Sequence, residues 1–344
     1  MTRPALSSHI DRRLLLNGAL GIGASACATT SGQTVDNADA LLVDLDRAPD
    51  EEIALWPDAP PGGEHVDIEE RIVHRDNVFG LVDRAAHNVT RPILSRFSAN
   101  AADGSALLLI PGGGYSWVVI DKEGFEGARW FSRHGVTVYV LRHRLPHQGW
   151  TAGADTPLQD AQRAIRVIRA RAVQDGVDAT RVAVMGFSAG GHVAGSLATR
   201  FSARVYDALD DADTISARPD LAALVYPVAT MDAAFAHAGS RRNLIGDTPS
   251  EARVNFYSLE TAPPVNTPAV FQMHAADDES VVVENTLRLN TALRNAGVAT
   301  EMHIFERGGH GFGLRGLEGN SARVWPHLYL NWAAMHGVHT GGAV

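Results

Sequence analysis

The chemistry that this sequence can support centres on one serine. Gly186-Phe187-Ser188-Ala189-Gly190 matches the pattern G-x-S-x-G. The apolar run 182–185 before it predicts a buried strand, and residues 192–201 after it predict a helix. A serine on a sharp turn between strand and helix projects clear of the sheet, and the backbone N–H behind it can bind an oxyanion. The pattern therefore predicts nucleophilic attack by Ser188 on a carbonyl carbon.

A glycine-rich segment has the composition of an oxyanion-binding loop. Pro111-Gly112-Gly113-Gly114-Tyr115 directly follows the apolar run 106–110. Because no side chains intervene at the glycines, backbone N–H groups there can face an incoming carbonyl oxygen. We expect the N–H of Gly113 or Gly114 to form an oxyanion hole with that of Ala189. No Gly-Lys-Ser/Thr follows the glycines, which excludes a phosphate-binding loop.

A base and an acid for this serine follow two later strands. His310 lies between glycines after the run 301–305, so its ring is free to accept the proton of Ser188 and to donate its other N–H to a carboxylate. Asp278 is the first choice for that carboxylate, and its neighbour Asp277 is the alternative. The chain order serine, aspartate, histidine is that of the α/β hydrolases.

The remaining histidines and the one cysteine do not indicate a metal site. His192, behind the serine on the predicted helix, is expected to be a packed, hydrogen-bonded residue. His143 and His147 match neither H-E-x-x-H nor another metal pattern. The single cysteine, Cys27, excludes an internal disulfide and a cysteine-based zinc site. We expect neither a metal nor another cofactor.

Strands and helices alternate along the chain, with each candidate catalytic residue after a strand. Alternation of this kind predicts an α/β fold, with a mostly parallel sheet of about eight strands and helices on both faces. The predicted strands are 53–56, 92–97, 106–110, 136–141, 182–185, 221–226, 269–273 and 301–305. The predicted helices are 126–134, 157–173, 192–201, 283–296 and 322–336.

Composition and the amino terminus bound the class of protein. The 344 residues suffice for a large core, and a net charge of −9 excludes an extended nucleic-acid surface. Arg12-Arg13 and the uncharged stretch 14–26 resemble a twin-arginine export signal, and this stretch is too short to span a bilayer. Cys27 follows a small-residue cleavage site, as in a lipoprotein. We expect an exported protein, periplasmic or anchored to the outer membrane only through a lipidated Cys27.

These features divide the chain into four segments. Residues 1–26 are the export signal, 27–50 a linker, 51–338 one catalytic domain and 339–344 a tail. Six segments resemble bacterial serine esterases of the α/β-hydrolase fold, in the acetylxylan esterase and feruloyl esterase group. They are LLLIPGGGYSWVVIDKEGFEGARWF, PLQDAQRAIRVIRARA, RVAVMGFSAGGHVAGSLAT, HAGSRRNLIG, HAADDESVVVENT and ERGGHGFG.

The resemblance covers about residues 51–338 and implies a Ser188-Asp278-His310 triad, no metal, and release of short acyl groups from carbohydrate esters. Glu279 and Val282 stand where such esterases usually have proline, which leaves Asp277 open as the acid. The interpretation is therefore an exported serine esterase acting on acetyl esters of small molecules or oligosaccharides, such as acetylated xylan. Candidate substrate-binding residues are Tyr115, Trp117 and His237.

Other functions remain open from the sequence. The same residues suit a general carboxylesterase or a feruloyl esterase. A peptidase of this fold is a further alternative, and so is a protein of this fold that binds a ligand without catalysis.

Overall fold

A computed structural model describes residues 40–261 and 263–340. Tertiary contacts divide the chain into Met1–Asp39 and Ala40–Val344, and all described residues belong to the second unit. The predicted export signal, Cys27 and most of the predicted linker therefore lie outside the described residues.

Eleven strands and eight α-helices make up the described chain. The strands are β1 (Glu51–Ala54), β2 (Arg71–His74), β3 (Arg84–His87), β4 (Ile93–Phe97), β5 (Ala106–Ile110), β6 (Val118–Val119), β7 (Thr137–Arg142), β8 (Val182–Phe187), β9 (Leu221–Val225), β10 (Ala269–Ala275) and β11 (Thr300–Phe305). The helices are α1 (Glu126–Arg133), α2 (Thr156–Ala170), α3 (Ala172–Asp175), α4 (Ser188–Arg200), α5 (Ala238–Ile245), α6 (Glu251–Tyr257), α7 (Glu284–Asn295) and α8 (Trp325–Met335).

The main sheet contains eight strands in the order β1-β4-β7-β5-β8-β9-β10-β11. The β1–β4 and β4–β7 pairs are antiparallel, and every other pair is parallel. This topology confirms the predicted α/β class and the mostly parallel sheet of about eight strands. A second, antiparallel sheet of three strands, β2-β3-β6, was not predicted.

The central strands are apolar along their whole length because helices cover both of their faces. All residues of β5 and β8 are buried. On one face α2, α4 and α7 contribute to the core, through residues such as Ile165, Leu197 and Leu289. On the other face α1 and α8 contribute Trp130 and Leu330. Each large apolar side chain buried in this way stabilises the fold by about 1.5–3 kcal/mol.

The described ends of the predicted linker and tail contact this domain. Leu41 is buried in the core on the α1 side of the sheet. The guanidinium group of Arg47 donates hydrogen bonds to the Ser98 carbonyl and the Ser132 hydroxyl. Near the carboxyl end, His339 is buried, and its Nδ1 lies 2.6 Å from a carboxylate oxygen of Asp103. In the described part of the chain, none of the helices combines the length and apolarity needed to cross a membrane.

Candidate active site

Ser188 lies at the junction of β8 and α4, in a conformation that serine rarely adopts. Its φ is +53°, whereas Phe187 before it is extended. A Cβ at Gly186 would press against the Gly190 carbonyl, and one at Gly190 against the Ile110 carbonyl. The two glycines of the G-x-S-x-G pattern are therefore required by close backbone approach. The observed helix α4 is longer than the predicted helix 192–201, because it begins at the serine itself.

Ser188, His310 and Asp278 form one hydrogen-bonded chain. The Ser188 Oγ lies 2.9 Å from His310 Nε2, and His310 Nδ1 lies 2.7 Å from Asp278 Oδ2. Because a carboxylate only accepts, Nδ1 carries the proton of the neutral ring. The Nε2 atom is then free to accept the hydroxyl proton of Ser188. This is the arrangement that a general base needs to activate a serine.

Asp278 is buried and held ionised by several donors. Its Oδ1 accepts the N–H groups of Ser280 and Val281, each at 2.9 Å. Burial alone would raise the pKa of Asp278, but hydrogen bonds from His274 and His310 outweigh it and hold that pKa well below its usual range. The fully buried His274 is a second imidazole on this carboxylate, 3.2 Å away, and sequence reasoning missed it.

Asp277, the alternative acid, is turned away from the ring of His310. Its Oδ1 instead accepts the backbone N–H of Gly309 at 2.8 Å. Of the two neighbouring aspartates, the structure therefore brings Asp278 to the histidine. A tight turn after β10 directs the two side chains to different partners.

The glycine-rich loop leaves backbone donors beside the serine. A Cβ on Gly112 would lie 2.9 Å from the Ser188 Cβ. Gly113 has φ +135°, which suits glycine alone, and its carbonyl accepts the N–H groups of Ser116 and Trp117. Within the residues that the structure describes, the N–H groups of Gly113 and Gly114 donate to no protein acceptor. The Ala189 N–H lies in the first turn of α4, where helices have no internal acceptor.

A buried glutamate, which sequence reasoning also missed, connects this loop to two others. Glu123 is 4% exposed, and its Oε2 accepts the Gly112 N–H at 2.9 Å. Its Oε1 accepts a hydrogen bond from the Tyr226 hydroxyl at 3.1 Å. The hydroxyl oxygen of Tyr226 in turn accepts the Gly313 N–H at 3.0 Å. The Tyr226 ring packs edge-on against His310, with centroids 5.2 Å apart. Glu123 thus links the glycine-rich loop to the loop of the histidine.

Tyr115 does not line the site, and its prediction as a substrate-binding residue is wrong. It is 2% exposed, because φ of +60° turns the side chain into the core. There its hydroxyl lies 2.7 Å from His192 Nδ1, and His192 Nε2 donates to the Tyr257 carbonyl at 2.7 Å. His192 is therefore the packed, hydrogen-bonded residue that the sequence predicted. Burial lowers the pKa of His192 to about 4.

The other two candidate substrate-binding residues are partly exposed. Trp117 packs against His87, with ring centroids 5.2 Å apart. His237 precedes α5 and lies beside the glycine-rich loop. The pKa of His237 is lowered by burial and by the nearby His310. Neither residue has a contact that assigns it to a substrate.

One cavity of the described chain does not include the catalytic groups in its lining. Its volume is about 600 Å³, and its lining includes Pro111, Phe125 and Arg129 but none of the three hydrogen-bonded catalytic candidates. Among the described residues, no group of three or more His, Cys, Asp or Glu side chains is placed to hold a metal ion. The groups that meet at the site are the serine, its base and backbone donors.

Comparison with known proteins identifies relatives. The family model of the prolyl oligopeptidase family matches residues 147–336. Endo-1,4-beta-xylanase B of Butyrivibrio fibrisolvens is 37% identical over 205 residues, which cover 60% of this chain and 32% of that protein. Acetylxylan esterase of Xylanibacter ruminicola is 32% identical over 215 residues, covering 61% and 42% of the two chains. The chain therefore spans less than half the length of these curated relatives.

A solved structure matches over a larger part. The acetyl ester-xyloside bifunctional hydrolase from Caldicellulosiruptor lactoaceticus is 30% identical to this chain, with a TM-score of 0.67. The match covers 85% of this chain and 98% of that one. The eight-stranded domain is thus similar to a complete solved chain.

Proposed function

The chain belongs to the prolyl oligopeptidase family and has the α/β-hydrolase fold, and on that premise we propose that it is a serine esterase for acetyl and other short acyl esters of carbohydrates. One observation carries the proposal. Ser188 is hydrogen-bonded to His310, which is hydrogen-bonded to the ionised Asp278, beside unoccupied backbone donors. A nucleophile, a base, an orienting acid and an oxyanion site are together the requirements for acyl transfer.

The proposed reaction proceeds through an acyl-enzyme. His310 takes the proton of Ser188 as Oγ attacks the ester carbonyl carbon. The N–H groups of Ala189 and of Gly113 or Gly114 stabilise the oxyanion, and each such donor typically contributes about 3–4 kcal/mol to transition-state binding. His310 then protonates the departing alcohol oxygen. Water deprotonated by His310 releases the acid and restores the serine.

Two observations support a carbohydrate ester as substrate. The names of two relatives are acetylxylan esterase and acetyl ester-xyloside hydrolase. In addition, the helices of the segment between β9 and β10 are, in its described residues, the short α5 and α6. The segment carries polar side chains such as His237, Arg241 and Asn243. Sugar hydroxyls require hydrogen-bond partners when they are desolvated, and this segment can supply them.

A substrate panel tests the proposal. Purified protein and the Ser188→Ala variant are assayed on acetylated xylan, acetylated monosaccharides, methyl ferulate and p-nitrophenyl esters from acetyl to octanoyl. We expect acetyl esters to be cleaved, with kcat/KM falling as the acyl chain lengthens, and the variant to lose activity at least about 10³-fold. A kcat/KM that rises from acetyl to octanoyl contradicts the proposal.

The family description favours one second candidate, a peptidase. The matched residues 147–336 contain the serine, the acid and the base, which serve ester and amide substrates alike. A chromogenic prolyl anilide added to the panel tests this candidate. Peptidase activity is supported if Ser188-dependent cleavage of the anilide exceeds cleavage of the acetylated sugars. Preferential cleavage of methyl ferulate would instead indicate a feruloyl esterase.

We also propose that the protein is exported and anchored through Cys27. The support is the sequence of residues 12–27 alone, in which an arginine pair, an uncharged stretch and a cysteine follow one another. Replacement of Arg12 and Arg13 by lysine should retain precursor in the cytoplasm. Cys27→Ala should release the protein from membranes. Unchanged fractionation of either variant contradicts the corresponding step.

A further inference from the structure

The helix α5 is tied to the glycine-rich loop. The side-chain amide of Asn243 donates to the Gly114 carbonyl at 2.9 Å and to the Ser116 hydroxyl at 2.8 Å. These bonds bring the residue before the helix, His237, against the same loop. Its Cε1 lies 3.7 Å from the position of a Cβ on Gly114. His237 is therefore fixed next to the predicted oxyanion donors.

The start of α5 determines which nitrogen of His237 carries the proton. The Ser240 backbone N–H donates to His237 Nδ1 at 3.1 Å, so the histidine caps the helix. The Ser240 hydroxyl lies 2.8 Å from the same nitrogen. Because Nδ1 accepts, the proton of the neutral ring is on Nε2. Burial, and repulsion from His310 whenever that ring is protonated, lower the pKa of His237, so the His237 ring is neutral at neutral pH.

The Nε2–H group of His237 is left as an available donor at the site. In the described parts of the chain, no protein acceptor is recorded for this nitrogen. Asp278 and a protonated His310 both influence the pKa of His237, in opposite directions. A partly buried N–H donor beside a substrate site gains a hydrogen bond there only when the ligand brings an acceptor.

We propose that His237 donates a hydrogen bond from Nε2 to an oxygen of the sugar part of the ester, and so selects polyol over simple alcohols. This inference rests on the proposed function. An acetyl ester offers few acceptors. Its carbonyl oxygen is assigned to the backbone donors, and its alcohol oxygen is assigned to His310 as that oxygen departs. The acetyl methyl group cannot accept a hydrogen bond. The acceptor for the Nε2–H group of His237 is therefore another oxygen of the alcohol part of the ester.

His237→Asn separates this role from helix capping. Asparagine is among the best helix caps, so α5 keeps its cap, but its amide is too short to place a donor at the former Nε2 position. The two substrates are acetylated xylobiose and propyl acetate, which share the acetyl group and differ in the hydroxyls of the alcohol. The exposed His336, changed to asparagine, is the matched control.

We expect His237→Asn to lower kcat/KM for acetylated xylobiose about tenfold and to leave propyl acetate within about twofold. Thermal melting confirms that each variant is folded. Equal loss on both esters, or loss on neither, overturns the inference. If the unmutated protein has an equal kcat/KM for propyl acetate and acetylated xylobiose, the proposed substrate class itself is overturned, and the assignment of His237 with it.

Discussion

At the scale of single residues, the site depends on conformations and protonation states that few side chains tolerate. Ser188 has φ of +53°, and such strain costs about 1–3 kcal/mol. The neighbouring structure holds it there, since the Ser188 carbonyl accepts the Val228 N–H at 3.0 Å. Asp278 is held ionised in a buried position by donors on two sides. The chemistry follows from these enforced states more than from the residue types.

The two adjacent aspartates should differ sharply when each is changed to asparagine. Asp278→Asn removes the charge that stabilises the imidazolium and allows the wrong His310 tautomer, so we expect kcat to fall by about 10³–10⁴-fold. Asp277→Asn keeps an oxygen that can accept the Gly309 N–H, so kcat should stay within about threefold. Steady-state kinetics on p-nitrophenyl acetate decide between them. A larger loss in Asp277→Asn would mean that their roles are reversed.

At the scale of elements, the loops after three strands are connected under the site. Glu123 accepts hydrogen bonds from the Gly112 N–H, in the loop after β5, and from the hydroxyl of Tyr226, after β9. The Tyr226 hydroxyl oxygen accepts the Gly313 N–H, in the loop after β11. A single buried carboxylate thereby sets the distance between the backbone donors and His310. Since both of its oxygens accept, an amide in its place would either oppose the Gly112 N–H, which only donates, or leave the Tyr226 hydroxyl proton without its acceptor.

Glu123→Gln tests this connection. The amide offers one accepting oxygen, so its NH₂ group must face either the Gly112 N–H or the Tyr226 hydroxyl. We expect a loss of about 1–3 kcal/mol in the free energy of unfolding and a fall in kcat with little change in KM. Urea unfolding and steady-state kinetics measure the two effects. The exposed Glu306, changed to glutamine, is the control, and an equal kcat in both variants contradicts the role of Glu123.

The elements that sequence reasoning located are those with the strongest physical signal. The strands β5 and β8 are continuous apolar runs because both of their faces are buried. Once these strands are located, the glycine-rich loop and Ser188 are located as the residues that come after them. β2 is wholly exposed and β6 has two residues, so neither carries a hydrophobic pattern. Glu123 was not predicted as a site residue because its partners are a backbone N–H and a tyrosine that is distant in the sequence. Tyr115 was misplaced because a positive φ reverses the direction of its side chain.

At the scale of the whole molecule, the site is built across neighbouring strands. The strands β5, β8, β9, β10 and β11 are adjacent in the sheet and parallel, so their carboxyl ends meet along one edge. Ligands of open α/β sheets bind at such edges. The buried His192 stabilises the same region by joining Tyr115 to the Tyr257 carbonyl. Protonation of His192 is therefore expected to destabilise the part of the fold that holds the site.

His192 should make the protein less stable as the pH falls from about 6.5 to about 4. Burial lowers the pKa of His192 to about 4 from an ordinary value of 6.5, so in this range the unfolded chain binds the proton and the folded chain does not. The stability present above pH 6.5 is lost on acidification, by up to about 3 kcal/mol. His192→Gln should show a correspondingly shallower dependence in urea unfolding at several pH values. Parallel curves for the two proteins would contradict this assignment.

The separation of the catalytic groups along the chain also fixes when activity arises during synthesis. Ser188 and His310 are 122 residues apart, and β11, which precedes the histidine, is the last strand of the sheet along the chain and lies at its edge. A ribosome adding roughly 5–20 residues per second takes on the order of 6–24 s to cover that distance. During this interval the serine has no base, so a nascent chain cannot be acylated by esters in its surroundings. Recovery of esterase activity after denaturation should accordingly require the docking of β11 and not only the formation of the central strands.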